Sequence, residues 1–323
     1  MQGKDHMVTG VAQRVLGQVR TVVVGKDPVL LWVLAAILAG GHILLEDIPG
    51  VGKTTMALAF SRVLDLQYSR VQFTPDVLPS DVTGYSVPDQ TTGRLTYQPG
   101  AVLCNLFLAD ELNRATSRTQ AALLEAMEEG QVTVDGVSHP LPKPFVVIAT
   151  QNPTGAAGTQ LLPDSQMLPD SQMDRFMIRL SLGYPSPKDE MAMVLSRQEG
   201  NPLESLKPLL TRENLVLLRQ AVARTHVSEA VVGYIVELIG ATRNHEDILR
   251  GASPRATLAV TAMAKAVARL RGRDYVVPGD VREVFVHTVA HRLQLSARAE
   301  GKDKSAEAVL RELLERVPAP RLR

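Results

Sequence analysis

Short apolar runs alternate with helical patterns through the first half of the chain. Three runs are apolar enough to predict strands buried on both faces: 43–45, 103–109 and 145–149. Helical spacing of apolar residues predicts helices between them: 29–39, 54–64 and 119–129. This alternation is typical of a parallel β-sheet with helices packed on its faces.

Two further stretches have the pattern of β-hairpins. Residues 85–97 turn around Thr92-Gly93, and residues 131–141 turn around Asp135-Gly136, a dipeptide that favours a two-residue turn. Both stretches lie between elements that a minimal nucleotide-binding sheet would join directly. We therefore predict two hairpin inserts on an α/β core.

The second half of the chain has a different character. After the Pro-rich segment 183–187 the pattern is helical almost throughout, with helix starts expected at Ser228 and Ser253. Another start is expected at Pro278-Gly279-Asp280, where Asp280 followed by Glu283 resembles a capping box. The predicted divisions are an N-terminal extension (1–20), an α/β nucleotide-binding domain (21–183) and an all-helical domain (184–323).

Charge agrees with two units and excludes some functions. Residues 1–180 carry a net charge of −4 and residues 181–323 one of +5, for a total of +1. A total so close to neutral argues against a chain-wide field that would attract nucleic acid or an anionic membrane. A basic second half either docks on an acidic neighbour or is simply a solvated surface.

Cysteine content and hydropathy set the expected location. The single cysteine, Cys104, lies in an apolar run, which predicts a buried thiol and no intramolecular disulfide. The longest apolar run, 29–39, is well short of the roughly 20 residues that span a bilayer. The start of the chain is polar, unlike a signal peptide, so we expect a cytoplasmic protein. Whether residues 1–6 ahead of Met7 are native is left open.

A phosphate-binding loop is the first chemical motif, because a glycine-rich segment follows a predicted strand and opens a helix. Its glycines would let backbone N–H groups surround a phosphate, and Lys53 and the Thr54 hydroxyl would reach the phosphates and Mg²⁺. Asp47 stands where the strict pattern has Gly, which leaves a chance glycine-rich turn as the alternative for this motif alone. The candidate ATP-binding residues are Pro49, Gly50, Val51, Gly52, Lys53, Thr54 and Thr55.

Two buried strands end in polar residues that complete such a site. The run 103–109 is followed by Asp110 and Glu111, suited to hold Mg²⁺ beside Thr54 and to polarise an attacking water, respectively. The run 145–149 leads to Asn152, whose amide would approach that water if the two strands are neighbours. Each motif alone is commonplace, and their order behind the loop gives them weight.

The order of these motifs resembles that of AAA+ ATPases, and longer phrases resemble the MoxR family within them. These phrases are GGHILLEDIPGVGKTT, LADELNRATSRTQAALLEAMEEGQVTVDG, ATQNPTGAAGT, LPDSQMDRF, GASPRATLAV and YVVPGDVREVFVHTVAHRL. The resemblance covers roughly residues 20–295 and implies a P-loop α/β core followed by a helical lid. It also implies that Asp47 in place of Gly is an ordinary feature.

Further roles come from the resemblance alone. It implies that Arg175 is an arginine finger for a neighbouring subunit and that Arg255 is the sensor-2 arginine. The hairpin inserts would face a pore or a partner. Arg114 is either a second contact across the subunit interface or a surface salt bridge. His287 and His291 share a helix face, and we expect an ordinary lid surface there rather than a metal site.

The implied activity is hydrolysis of ATP with Mg²⁺ in a ring, with six subunits expected, that remodels or matures partner proteins. The resemblance also implies a von Willebrand factor A-domain protein as partner. A nucleic-acid-dependent motor and a non-catalytic nucleotide-dependent scaffold are the alternatives. Near-neutral charge weighs against the motor, and the acidic pair weighs against the scaffold.

One feature is not explained by the resemblance, namely a tandem repeat. LPDSQM at 162–167 recurs at once at 168–173, directly before Asp174 and Arg175. We expect the copy nearer Arg175 to occupy the ordinary position and the earlier copy to extend the preceding loop. A neutral duplication and an added partner surface are the two interpretations of the extension.

Overall fold

Strands and helices alternate along the chain, which the structure, a computed structural model, describes for residues 2–90, 93–152, 168–198 and 200–321, with side chains from residue 8 onward. The strands are β1 (Ile43–Glu46), β2 (Tyr68–Gln72), β3 (Gly84–Pro88), β4 (Leu95–Pro99), β5 (Leu106–Asp110), β6 (Gln131–Val134), β7 (Val137–Pro140), β8 (Val146–Gln151), β9 (Ile178–Leu180), β10 (Ile248–Arg250) and β11 (Gln294–Leu295). The helices are α1 (Gln2–Arg20), α2 (Asp27–Ala39), α3 (Lys53–Val63), α4 (Pro79–Thr83), α5 (Ser117–Glu129), α6 (Asp170–Met173), α7 (Pro187–Gln198), α8 (Arg212–Ala223), α9 (Glu229–Arg243), α10 (Pro254–Leu270), α11 (Pro278–Val289), α12 (Ala297–Glu300) and α13 (Ala306–Arg316).

A parallel sheet forms the centre of the first half, in the order β2–β5–β8–β1–β9. The predicted strands correspond to β1, β5 and β8, and the predicted helices to α2, α3 and α5. The run 103–109 is wrong in its first three residues, since β5 begins only at Leu106. Because β8 lies between β5 and β1, the ends of the strands that carry the chemical motifs are direct neighbours.

Side chains of the central strands alternate between two cores, one on each face of the sheet. On β5, Leu106 and Leu108 join the core shared with the first helices and the second half of the chain. Phe107 and Ala109 join a separate core with α5. Because successive residues of a strand point to opposite faces, an unbroken apolar run is the pattern that such a doubly covered strand requires.

Helix α2 connects the two halves of the molecule. It is apolar on all sides, and it packs against α1, α8 and α10. A helix without a polar face is stable only when it is enclosed. Buried residues of α1, among them Val15 and Val19, also join this core, so the segment expected as an extension packs into the fold.

Both predicted hairpins are present. Strands β3 and β4 pair antiparallel, as do β6 and β7, although Thr92 of the first predicted turn lies outside the described residues. Asp135 and Gly136 both have positive φ, as a two-residue hairpin turn requires. The rings of Tyr97 and His139 stack with centroids 3.7 Å apart, which joins the two hairpins to each other.

The second half is helical, with a short antiparallel pair, β10–β11, in addition. Ser228 and Ser253 cap α9 and α10 with their side chains, as predicted. Helix α11 begins at Pro278, within the predicted start segment. Asp280 is its third residue and not its capping residue, and its carboxylate accepts a hydrogen bond from the N–H of Val277 at 2.9 Å. Pro278 suits the first position because a residue there needs no backbone hydrogen bond.

Two other expectations concern burial. Cys104 is buried, and burial raises the pKa of its thiol to about 12. The expected surface position of His291 is wrong. Its side chain is buried and is hydrogen-bonded to the carbonyl oxygen of Phe176 at 2.9 Å. Among the described helices, none combines the length and apolarity needed to cross a membrane.

The buried Asp280 yields a stability prediction. Its carboxylate is fully buried and accepts hydrogen bonds from Arg271 and Arg273 as well as from Val277. Asp280→Ala should lower the free energy of unfolding by about 1–3 kcal/mol, because these donors lose a charged partner. Chemical denaturation measures the change. Glu283→Ala is the matched control, since it removes only a half-exposed partner of Arg271 and should cost less than about 1 kcal/mol. Equal losses in both variants would contradict this account.

Candidate active site

The segment between β1 and α3 forms the loop predicted to bind phosphate. Gly50 and Gly52 have φ values of +86° and +97°, a region that residues with side chains seldom adopt. Helix α3 starts at Lys53, so its first N–H groups face the loop. Beside the loop is a cleft of about 370 Å³, lined by Pro49, Gly50, Gly52, Lys53, Thr54, Thr55, Arg70, Gln72, Asp110, Glu111 and Asn152.

Lys53 is folded back onto its own loop. Its Nζ donates to the carbonyl oxygens of Asp47 at 2.6 Å and Ile48 at 3.3 Å. Burial lowers the pKa of the ammonium group, while the carboxylates of Asp47, Asp110 and Glu111 oppose that shift. The side chain is therefore held in the cleft by backbone oxygens that a phosphate group could replace.

Asp110 has a hydrogen-bond donor on each carboxylate oxygen. The Thr150 hydroxyl donates to Oδ1 at 2.6 Å. Arg70, from the neighbouring strand β2, donates to Oδ2 through Nη2 at 2.7 Å and Nε at 3.2 Å. The carboxylate that the sequence assigns to Mg²⁺ is thus oriented by one neighbour and neutralised by another.

Glu111 has an unusual backbone and a salt bridge within the same chain. Its φ of +56° lies in the left-handed region, which turns the chain sharply after β5. Its N–H donates to the Thr150 hydroxyl at 2.8 Å, and its carboxylate accepts Arg114 Nη1 at 2.9 Å. Arg114 was expected to make either a contact across a subunit interface or a surface salt bridge. In the structure it makes a salt bridge, and its partner is the site residue Glu111.

Thr150 and Arg70 were missed by the sequence analysis. The Thr150 hydroxyl bonds both members of the acidic pair, and Arg70 binds one of them. Thr150 could have been identified as a polar residue near the end of an apolar strand. Arg70 could not, because β2 has no apolar run from which to place it beside β5.

Arg175 and Arg255, the two arginines to which the resemblance gives roles, lie together, away from the cleft. Arg175 Nε and Arg255 Nη2 both donate to the carboxylate of Glu128, at 2.9 and 2.5 Å. The hydrogen bond from Arg175, with the charge of both arginines, lowers the pKa of Glu128. Within the described chain neither arginine lines the cleft that contains Lys53.

The segment around Arg175 is fixed to the helical half. Asp174 accepts the Ser253 hydroxyl at 2.8 Å, and Asp170 forms an ion pair with Arg250. The repeat copy 168–173 contains α6 and lies directly before Asp174, and its place in the ordinary position stays a prediction. The earlier copy, 162–167, lies outside the described residues.

Comparison with known proteins gives the family. Residues 42–178 match the family model described as "ATPase family associated with various cellular activities (AAA)", and residues 240–313 match an AAA lid domain. Chaperone MoxR1 of Mycobacterium tuberculosis is 38% identical over 96% of this chain and 82% of its own length. The protein YeaC of Bacillus subtilis is 42% identical, with 94% and 92% covered.

This chain belongs to the MoxR family of AAA+ ATPases.

A crystal structure agrees with this membership. A protein from Cytophaga hutchinsonii, assigned as an ATPase, superposes with a TM-score of 0.89 and is 34% identical, with 99% of this chain and 98% of that chain covered. The expected α/β core with a helical lid is therefore confirmed for this MoxR-family chain.

A second pocket adjoins the loop of this MoxR-family chain. It encloses about 140 Å³ and is lined by Val22, Val23, Val24, Lys26, Gly50, Val51, Gly52, Thr55, Pro185, Met193 and Arg197. Val51, one of the predicted ATP-binding residues, faces this pocket and not the cleft. Its walls come from the segment before α2, from the loop and from α7 of the helical half, so it forms only when the two halves meet.

The bridging hydroxyl gives a prediction for this MoxR-family site. Thr150 is fully buried, so Thr150→Val would leave Asp110 Oδ1 and the Glu111 N–H without their partner in almost the same volume. We expect ATP turnover to fall about ten- to hundredfold as the acidic pair shifts. Thr150→Ser keeps the hydroxyl and is the control, so its turnover should stay near that of the parent. Turnover that is alike in the two variants would show that the hydroxyl does not position the pair.

Proposed function

We propose that this chain hydrolyses ATP with the aid of Mg²⁺ and uses the reaction to remodel or mature partner proteins. The observation that carries the proposal is that the phosphate loop, the acidic pair and Asn152 line one cleft. Family membership supports an ATPase, and the chaperone name of a relative supports the remodelling role.

The phosphate chain of ATP would lie along the cleft. Backbone N–H groups of Gly50 and Gly52 and the N-terminus of α3 favour anions there. Lys53 would exchange its bonds to the Asp47 and Ile48 carbonyls for bonds to phosphate oxygens. That exchange replaces neutral acceptors by charged ones, which make the stronger hydrogen bonds.

The adenine base would enter the second pocket. Val22, Val23 and Val24 provide apolar walls, and the pocket touches the loop at Gly50 and Val51. A small apolar pocket with few polar groups suits a planar base. Because α7 supplies another wall through Met193, base binding would depend on the position of the lid.

The donor atoms present fit Mg²⁺, which prefers oxygen ligands such as carboxylates, hydroxyls and phosphates. Thr54 and Asp110 would hold it. When bound, Mg²⁺ supplies positive charge that neutralises the β- and γ-phosphate oxygens. Asp110 Oδ2 now accepts hydrogen bonds from Arg70, so a cation at that oxygen would replace the guanidinium group.

Glu111 would accept a proton from the attacking water, and Asn152 would help to orient that water. The carboxylate of Glu111 is paired with Arg114 in the present structure. We therefore expect Glu111 to accept the proton of the attacking water only when Arg114 turns to another partner.

Arg175 would act as an arginine finger on the nucleotide of a neighbouring subunit in a ring, expected to be a hexamer, and Arg255 would serve as the sensor-2 arginine. Both are held by one carboxylate and are absent from the cleft of their own chain, as far as the structure describes it. Guanidinium groups stabilise charge on a transferring phosphoryl group. Activity would then require assembly, because Arg175 would reach a cleft only from a neighbouring subunit.

The partner class is proposed from the family resemblance. It comprises a von Willebrand factor A-domain protein and a client protein, in a cytoplasmic setting. Stimulation of hydrolysis by DNA would instead favour a nucleic-acid motor, and absence of phosphate release would favour a scaffold. Capture of partners by Glu111→Gln, which should hold ATP, tests the client role.

Substitutions in the phosphate loop and at Glu111 should affect ATP binding and ATP turnover differently. Lys53→Ala is expected to abolish productive ATP binding, because the backbone alone leaves phosphate charge unneutralised. Glu111→Gln should bind ATP and lose turnover, because an amide cannot accept the proton. Nucleotide titration and phosphate release measure both. Normal turnover in Lys53→Ala would exclude the loop, and normal turnover in Glu111→Gln would exclude Glu111 from its role.

Mixing experiments should show whether Arg175 acts between subunits. Arg175→Ala is expected to bind ATP and to hydrolyse it roughly 10³–10⁵-fold more slowly, as for arginine fingers in GTPases. Mixing it with the inactive Lys53→Ala variant should restore activity, because some interfaces then combine an intact loop with an intact finger. No recovery in confirmed mixed assemblies would mean that Arg175 does not act across an interface.

A further inference from the structure

The first residue of the phosphate loop makes contacts that glycine, the residue of the strict motif, cannot make. Asp47 is 4% exposed, and its carboxylate accepts hydrogen bonds from the Ser181 hydroxyl at 2.8 Å, the Leu182 N–H at 2.6 Å and the Gly183 N–H at 3.0 Å. A buried carboxylate is stable only when such donors replace water. The donors form a built site for this one side chain.

The donors belong to the segment that joins the two halves of the molecule. Residues 181–183 follow β9, the last strand of the sheet, and lead to α7, the first helix of the lid. Gly183 has a φ of +61°, and a residue in that conformation brings successive N–H groups towards one anion. Residues 181–183, which we call the hinge, therefore have a conformation that receives the carboxylate of Asp47.

The backbone of Asp47 faces the phosphate site at the same time. Its carbonyl oxygen accepts Lys53 Nζ at 2.6 Å, while its carboxylate holds the hinge. A second tie supports the hinge from the other side, where Lys26 Nζ donates to the Tyr184 carbonyl oxygen at 2.8 Å. Lys26 itself lines the pocket formed by Val22–Val24, the loop and α7, as does Pro185, the residue after Tyr184.

We propose that Asp47 is a positioning residue that fixes the lid hinge to the phosphate loop and thereby holds α7 against the base-binding pocket. Lys53 would release the Asp47 carbonyl when phosphate is bound, so the state of the phosphate site reaches the hinge through this one residue. The part that concerns the base rests on the proposed function. The tether itself stands on the hydrogen bonds of the structure.

Asp47→Gly is the informative variant, because it creates the strict phosphate-loop motif while removing the tether. We expect amide hydrogen exchange at residues 182 and 183 to accelerate at least about tenfold, since each amide loses a charged acceptor. We expect ADP affinity to fall by about tenfold or more, with little change in affinity for inorganic pyrophosphate, which does not use the base pocket. ADP and pyrophosphate are suitable probes because neither requires turnover.

Ser181→Ala provides the matched variant from the hinge side, because it leaves the phosphate loop untouched. It removes one of the three donors and should give the same pattern with a smaller loss of ADP affinity. In an Asp47→Gly background the Ser181→Ala substitution should have almost no further effect, because the acceptor of the Ser181 hydroxyl is then absent. Asp47→Asn keeps one acceptor oxygen and should show a smaller effect of the same kind, and it serves if Asp47→Gly does not fold.

Unchanged exchange at residues 182 and 183 in the Asp47 variants would overturn the tether. Equal losses of ADP and pyrophosphate affinity would also overturn it, because Asp47 would then serve the phosphate loop alone. If the parent bound neither probe, the proposed function would fail, while the exchange measurement would still decide whether Asp47 holds the hinge.

Discussion

Parallel pairing of β8 between β5 and β1 is the constraint on which the cleft depends. In a parallel sheet the carboxyl ends of neighbouring strands meet at one edge, and ligands bind there. The loop after β1, the acidic pair after β5 and Asn152 after β8 therefore converge without any long-range contact of their own. Thr150 adds a direct contact between these strand ends, because its hydroxyl on β8 is hydrogen-bonded to both acidic residues that follow or end β5.

The charges of the site are already compensated within the chain. Asp110 pairs with Arg70, Glu111 with Arg114, and the two outlying arginines with Glu128. Lys53 bonds carbonyl oxygens instead. Partly buried charges require such partners, because an isolated one carries a large desolvation cost. Binding of a charged ligand would consequently be an exchange of partners, in which the gain is the difference between two sets of charged contacts.

Much of this could be predicted from sequence, where a local pattern sufficed. Apolar runs predicted β1, β5 and β8 because these strands are buried on both faces, and Asp135-Gly136 predicted its turn. Strand β2 was not predicted because it lies at the edge of the sheet, where apolar and polar residues are mixed along Tyr68–Gln72. Arg70 was not predicted as a site residue for the same reason. Asp280 was misplaced because a buried carboxylate with two arginine partners looks like a helix cap when only neighbours in sequence are considered. The partners of Asp47 and Glu128 are set by tertiary contacts, which no local pattern encodes.

The burial of Cys104 has a practical consequence. It is the only cysteine of the chain, it is 1% exposed, and burial keeps its thiol protonated by raising the pKa to about 12. The thiolate is the reactive form towards maleimides and similar reagents. We therefore expect the native protein not to react with these reagents. A cysteine introduced on a hairpin or on α7 would then carry a fluorophore at one defined position. With one such label on a hairpin and another on α7, the motion of the lid relative to the sheet becomes measurable by energy transfer without first removing a native residue.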